Sequence, residues 1–100
     1  MNFLLQVDFP YEGPFGEQMS ETMRILAEDI AQEEGLVWKI WTESESEKIA
    51  GGIYLFDNEA DARRYLEKHE ARLTSFGIQN IRSVIFRTND VLSRIDRAPL

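Results

Sequence analysis

The sequence predicts an α+β domain in which one antiparallel four-stranded sheet carries two helices on one face. Three observations lead to this fold class. Strand-like and helix-like segments follow the order β-α-β-β-α-β, short glycine-rich or polar stretches separate them, and the length of 100 residues suits one domain. Right-handed crossovers convert that order into a ferredoxin-like sandwich, and we expect residues 1–100 to form a single domain.

The first half of the chain begins with a strand at residues 3–9, where apolar Phe3, Leu5, Val7 and Phe9 fall on one face. Residues 10–16 contain two prolines and two glycines and are typical of a turn. A helix is predicted over residues 17–34, ending at Gly35. Its apolar stripe consists of Met19, Met23, Leu26 and Ile30.

Two further strands, at residues 36–43 and 49–56, flank a polar loop and are predicted to pair as a hairpin. The second contains Gly51 and Gly52, which cost stability inside a strand. We interpret this pair as a β-bulge, or alternatively as a point where a helix or ligand approaches closely.

The last part of the chain predicts a second helix over residues 58–75, with Asp57 or Asn58 as its N-cap, and a strand at residues 79–88. The tail is expected to hold a short helical turn. The apolar stripe of the second helix is Ala62, Leu66, His69, Leu73 and Phe76, with Tyr65 alongside, and Gly77 ends it.

Apolar residues occupy both faces of the predicted sheet, although the helices cover only one. On the first strand, Leu4 lies on the face opposite to Phe3, Leu5, Val7 and Phe9. On the second strand, Trp38 and Trp41 lie on opposite faces. This pattern predicts a homodimer that packs sheet against sheet.

Composition excludes several classes of function. The net charge of −7 argues against binding to nucleic acid or to an anionic membrane surface. The lack of cysteine excludes disulfides, cysteine-ligated metals and thiol nucleophiles, and fits a reducing cytoplasm. We recognise no membrane span, signal peptide, metal-ligand spacing, catalytic triad, phosphate loop or dinucleotide fingerprint, and therefore expect a cytoplasmic protein without metal or cofactor.

The candidate site residues are the only histidine, His69, and a group of aromatic side chains. On an apolar helix stripe, His69 is either a hydrogen-bonded core residue or a general acid, base or donor at the mouth of a pocket. Trp38, Trp41 and Tyr54 lie on the predicted hairpin, where aromatic residues form a core, an interface or a pocket for a flat aromatic ligand.

Several segments together resemble the YdhR-type family of putative monooxygenases, which belongs to the dimeric α+β barrel superfamily. The matching stretches are GPFG at 13–16, EGLVWKIWTE at 34–43, AGGIYLF at 50–56, YLEKHEARL at 65–73 and LSRI at 92–95. The resemblance implies a dimeric α+β barrel and, by analogy with quinone-forming relatives, oxidation of phenolic or polycyclic aromatic compounds by O₂ without metal or flavin. Such chemistry needs a base, a donor to the developing oxyanion and a dry aromatic slot.

On that resemblance, His69 would be the general base or oxyanion donor, and Tyr54 would hydrogen-bond a substrate oxygen. Trp38 or Trp41 would stack on the substrate or donate its indole N–H. Strand alternation keeps the two tryptophans on different faces, and we expect Trp38 to line the pocket because its face is more apolar. The Lys39 ammonium would either stabilise a phenolate electrostatically or remain solvated at the surface or at an interface.

Three classes of function remain open on the sequence. The first is an enzyme, either a cofactor-free oxygenase or another small-molecule enzyme such as an isomerase. The second is a dimer that binds a small molecule without catalysis, as a sensor or stress-responsive protein. The third is a structural partner module without a ligand. One fold of this kind supports all three.

Overall fold

The structure, a computed structural model, describes residues 2–100 and confirms the predicted α+β architecture. Its elements, in chain order, are β1 (Phe3–Pro10), α1 (Gly16–Thr22), α2 (Arg24–Ile30), β2 (Leu36–Ser44), β3 (Ile49–Phe56), α3 (Glu59–Ser75), β4 (Arg82–Arg87) and α4 (Asp90–Ile95). The sheet has the order β2-β3-β1-β4, and every neighbouring pair is antiparallel. This is the ferredoxin-like arrangement.

The register of the sheet decides which side chains meet the helices. Leu5 pairs with Tyr54 and Val7 pairs with Gly52, and the side chains of this face are buried under the helices. On β2, Lys39 pairs with Tyr54 and therefore shares the helix-facing side. The core cluster consists of Leu5, Val7, Phe9, Met19, Ile30, Ala50, Tyr54, Phe56, Ala62, Tyr65 and Leu73.

The predicted helix at residues 17–34 is interrupted at Met23, which closes α1 and opens α2 with φ −98° and ψ 5°. The interruption is local, because the Met23 N–H still bonds to Met19 O and the Ala27 N–H still bonds to Met23 O. The predicted stripe therefore remains on one face. Met19 and Ile30 are buried, and Met23 and Leu26 pack against the core.

Helix α3 begins at Glu59, and its N-cap is Asn58, one of the two predicted caps, whose side-chain oxygen accepts the backbone N–H of Asp61 at 2.8 Å. Its buried residues are Ala62, Tyr65, His69 and Leu73, one helical face. The prediction that Phe76 extends this stripe is wrong, since Phe76 follows the last turn and is 64% exposed. Gly77 comes next with φ +85°, a conformation that favours glycine.

The face of the sheet away from the helices is partly open. Ile40, Val84 and Phe86 are each close to half exposed there. Strand β4 is shorter than predicted at both ends, and α4 confirms the expected helical turn in the tail. Within residues 2–100, no helix is both long and apolar enough to cross a membrane.

Candidate functional site

A cavity of about 580 Å³ lies between the helices and the sheet. Its walls come from the end of β1 and the following turn, from α1 and α2, from the β2–β3 hairpin, and from the last turn of α3. Apolar side chains provide most of the lining: Phe9, Met19, Met23, Leu26, Leu73 and Ile78. A cavity of this size and lining suits a small apolar or aromatic molecule.

Several polar side chains lie together at one wall of the cavity, where β2, β3 and α3 meet. The hydroxyl of Tyr54 lies 3.1 Å from His69 Nε2, and the hydroxyl of Tyr65 donates to Tyr54 at 3.5 Å. His69 is held on its other side by Arg72, whose Nη2 lies 3.4 Å from Nδ1. The sequence places Tyr65, His69 and Arg72 at spacings of four and three on α3, which brings them to one helix face.

Arg72 determines the tautomer of His69. A guanidinium group can only donate hydrogen bonds, so Nδ1 of His69 must accept. The proton of the neutral ring is then on Nε2, from which it is donated to the oxygen of Tyr54. Because that oxygen also accepts from Tyr65, neither contact uses the hydroxyl hydrogen of Tyr54, whose side chain is part of the cavity wall.

Burial sets the charge state of these groups. It is the main cause that lowers the pKa of His69 from 6.5 to about 3, and the positive charges of Lys39 and Arg72 add to it. Burial likewise raises the pKa of Tyr54 and of Tyr65 above the usual 10.0. At neutral pH the histidine and both tyrosines are therefore uncharged, and the chain from Arg72 to Tyr54 is a relay of hydrogen-bond donors.

Lys39 is the cation that lies closest to the cavity's aromatic wall. Its Nζ is 3.4 Å from the ring centroid of Trp41 and 4.6 Å from that of Tyr54. No carboxylate among residues 2–100 forms an ion pair with it. Burial, with a contribution from Arg72, lowers its pKa from 10.5 to about 7.

The glycine pair of β3 marks close approaches, and the predicted bulge at this place is wrong, since β1–β3 pairing is regular from end to end. A Cβ at Gly52 would lie 2.8 Å from Cε of Lys39 and 3.3 Å from Cε1 of Tyr54. A Cβ at Gly51 would lie 2.0 Å from the backbone oxygen of Val7. The bulge of the hairpin lies instead on β2, between Leu36 and Trp38.

The expectation that Trp38 faces the cavity is wrong. Trp38 lies on the opposite face of the sheet, where its Nε1 donates to the backbone oxygen of Pro99 at 3.1 Å. The two tryptophans do lie on opposite faces, as predicted, but Trp41 is the one that lines the cavity. The apolar character of the Trp38 face reflects contacts with the tail and an open sheet surface, which the sequence pattern alone does not distinguish from a helix-covered face.

Of the residues singled out in the sequence, the structure brings His69, Tyr54, Trp41 and Lys39 together at the cavity. Sequence reasoning missed Arg72 and Tyr11. Arg72 could have been found from its spacing of three after His69. Tyr11 lies in the turn after β1, where its hydroxyl is buried without a hydrogen-bond partner among the described residues. No sequence signal indicates that orientation.

Residues 2–100 contain no group of three or more histidine, aspartate and glutamate side chains arranged to hold a metal ion.

Comparison with known proteins identifies both family and fold. The sequence matches the family described as putative mono-oxygenase ydhR over residues 4–99. No curated protein matches it.

Two similar solved structures have the same fold. A mutant of SnoaB, a cofactor-independent oxygenase from Streptomyces nogalater, gives a TM-score of 0.63 at 14% identity, with 88% of this chain and 93% of that chain covered. A putative antibiotic biosynthesis monooxygenase from Deinococcus radiodurans gives a TM-score of 0.56 at 14% identity, with 89% and 93% covered. Because the family match spans nearly the whole chain, this protein belongs to the ydhR family of putative mono-oxygenases.

Proposed function

We propose that the chain is a cofactor-independent monooxygenase that oxidises a small phenolic or polycyclic aromatic compound with O₂. The observation that carries the proposal is the hydrogen-bond relay that ends in the Tyr54 hydroxyl, at one wall of a largely apolar cavity. Membership of the ydhR family supports the reaction class, and the solved oxygenase of Streptomyces nogalater supports a mechanism without a cofactor.

The reaction balances without a cofactor when the substrate supplies the electrons. A naphthol or anthrone that loses its acidic proton is electron-rich enough to reduce O₂. One oxygen atom becomes the new carbonyl oxygen of a quinone-type product. The other leaves as water with two hydrogen atoms from the substrate, so the organic compound is oxidised by four electrons and O₂ is reduced by the same number.

Four side chains at the cavity wall have roles in this proposal. The ring of Trp41 packs against the flat substrate, and the Tyr54 hydroxyl donates to the substrate oxygen as negative charge develops there. His69 acts through Tyr54 as a donor, since an imidazole with a pKa of about 3 is a poor base at neutral pH. Lys39 provides the positive charge beside the anionic oxygen.

The experiment is oxygen uptake combined with product mass spectrometry on metal-stripped protein, using a panel of naphthols, anthrones and hydroquinones. We expect uptake above the protein-free rate and a product that has gained one oxygen atom. Tyr54→Phe should reduce kcat by about 10² to 10³, the usual cost of one oxyanion donor. Trp41→Phe should raise KM, whereas Trp38→Phe, on the other face of the sheet, is the matched control.

The same experiment separates an enzyme from a binding protein. Binding of panel compounds by calorimetry without uptake or product would contradict the monooxygenase and favour a non-catalytic small-molecule-binding protein. Absence of both binding and uptake would contradict both functions.

We also propose that a second copy of the chain covers the open face of the sheet and completes a dimeric α+β barrel. The support is the partial exposure of Ile40, Val84 and Phe86, at 49%, 46% and 46%, on the sheet face opposite to the buried core side chains. Burying such a surface is favourable by about 25 cal/mol for each Å² of apolar area.

A further inference from the structure

The position of the Lys39 ammonium is unusual for a lysine, because it lies against aromatic rings and has no carboxylate partner among residues 2–100. Lysine side chains usually extend their ammonium groups into water or pair with a carboxylate. The Nζ of Lys39 instead lies against the rings of Trp41 and Tyr54 at the cavity wall, with no carboxylate partner among residues 2–100.

Two residues of the β2–β3 hairpin, Gly52 and Trp41, accommodate the Lys39 side chain at the cavity wall. The side chain crosses the strand at Gly52, where a Cβ would come within 2.8 Å of Lys39 Cε. Glycine inside a strand is costly, but here the missing Cβ at Gly52 leaves room for the Lys39 side chain next to Tyr54. Trp41, two residues along the same strand face, provides the ring over which the ammonium lies.

The charged and titratable groups around Lys39 leave it without a negative partner. Arg72 on α3 is a second cation, and it is paired with Asp29 of α2 at 3.2 Å. Glu43 on β2 accepts the backbone N–H of Gly16 at 2.8 Å, and after burial its charge is the second cause that raises the pKa of Tyr11. The remaining titratable groups at the cavity are Tyr11, Glu12, Tyr54 and His69.

We propose that Lys39 is the base that takes the proton from the ligand's phenolic hydroxyl, so that the cavity holds its ligand as a phenolate paired with the Lys39 ammonium. This inference rests on the proposed function for the class of ligand, an aromatic hydroxyl compound. The O–H bond of the phenol breaks, an N–H bond forms on Nζ, and no electron is transferred in this step. The phenolate then supplies the negative partner that no carboxylate of residues 2–100 provides.

Geometry and acidity both favour Lys39 over His69 for this role. The Nε2 of His69 is engaged by Tyr54, whereas Nζ of Lys39 has no hydrogen-bond partner among residues 2–100 and lies over the rings of Trp41 and Tyr54 at the cavity wall. A pKa near 7 leaves about half of the lysine in the neutral amine form at neutral pH, and a buried ammonium is stabilised when an anion binds beside it.

The test uses a phenol whose neutral and anionic forms absorb at different wavelengths, 7-hydroxycoumarin, under argon so that no oxidation occurs. At a pH about one unit below the probe's own pKa, most free probe is neutral. We expect the anion-to-neutral ratio to rise about tenfold or more on binding to the wild type. In Lys39→Met the bound probe should stay neutral, and Lys48→Met, which removes an exposed lysine near the Phe15 ring, should behave like the wild type.

A neutral bound probe in the wild type, or the same anion-to-neutral ratio in Lys39→Met, would overturn the proposal, and so would failure of the wild type to bind the probe. A second measurement does not depend on the ligand: labelling with acetic anhydride at increasing pH, followed by mass spectrometry of the Lys39 and Lys48 peptides. Lys39 should become reactive near pH 7, below the pH at which the exposed lysine peptide reacts, and equal profiles would refute the proposal.

The two hypotheses fail separately. If the wild type ionises the probe and Lys39→Met does not, but no panel compound consumes O₂, the monooxygenase is contradicted and Lys39 remains the base of a phenol-binding site. If O₂ uptake proceeds normally in Lys39→Met, the base assignment is contradicted and the monooxygenase stands.

Discussion

Replacing Lys39 by methionine should make the protein more stable at pH 7, although it removes a side chain of the candidate site. Burial, with a contribution from Arg72, lowers the pKa of Lys39 from 10.5 to about 7. At about 1.4 kcal/mol for each pKa unit, a fully desolvated amine with this pKa would cost about 4 kcal/mol of folding free energy at pH 7. Because the Lys39 side chain is only partly buried, solvent reduces this cost, and we expect a gain of about 2 kcal/mol for the variant.

The sign of the pH dependence follows from proton binding. Between pH 7 and 10.5 the unfolded chain holds the Lys39 proton and the folded chain does not, so the stability of the wild type rises with pH across this window. Lys39→Met lacks this contribution, and its advantage should shrink as the pH increases from 7 towards 10.

The assay is urea unfolding of both proteins at pH 7, 8 and 9, with Lys48→Met as the control for loss of a lysine at an exposed position. The reasoning fails if Lys39→Met is less stable than the wild type at pH 7, or if the difference between the two is the same at every pH. A change in the urea slope would mean that the variant alters the folded or unfolded state in another way.

Three other predictions concern the relay, the sheet and the dimer. Burial and two neighbouring cations lower the pKa of His69 from 6.5 to about 3, so the histidine contributes less and less stability as the pH falls through that window. In urea unfolding, the wild type should therefore lose about 2 kcal/mol more stability between pH 7 and 5 than His69→Gln does. Equal losses in the two proteins would contradict this. Gly51→Ala should destabilise the fold by about 3 kcal/mol or more in a thermal melt, because the alanine Cβ would lie 2.0 Å from the backbone oxygen of Val7. A loss below about 1 kcal/mol would show that β1 and β3 can separate at little cost. Light scattering should give twice the 11.6 kDa chain mass for the wild type and the single chain mass for Phe86→Glu, and a wild-type monomer at micromolar concentration would rule out the barrel.

Much of the fold could be predicted because the local patterns and the tertiary packing agree. The alternation from Phe3 to Phe9, the stripe of α3 from Ala62 to Leu73 and the cap at Asn58 all follow short-range rules. The break at Met23 has no such signal, since the residues on either side of it continue one apolar stripe and only the local backbone geometry interrupts the helix.

The candidate site could be predicted only in part, for a physical reason. Strand alternation correctly separated Trp38 from Trp41, but both faces of β2 carry apolar residues, so the pattern does not tell which face the helices cover. Register supplies that information, because Trp41 lies opposite Gly52, next to Tyr54 on the same face. The role of Gly52 depends on a contact with a side chain from another strand, which no local pattern records.

The placement of the two tryptophans on opposite faces has a practical consequence for measurements on this protein. Trp41 lines the cavity and its emission should respond to a bound aromatic compound, whereas Trp38 is tied to the tail at Pro99 and should respond to changes at the open face of the sheet. Variants that retain a single indole would therefore carry separate optical reporters of ligand occupancy and of subunit association. Intrinsic fluorescence could follow the two events independently, with no dye attached to the chain.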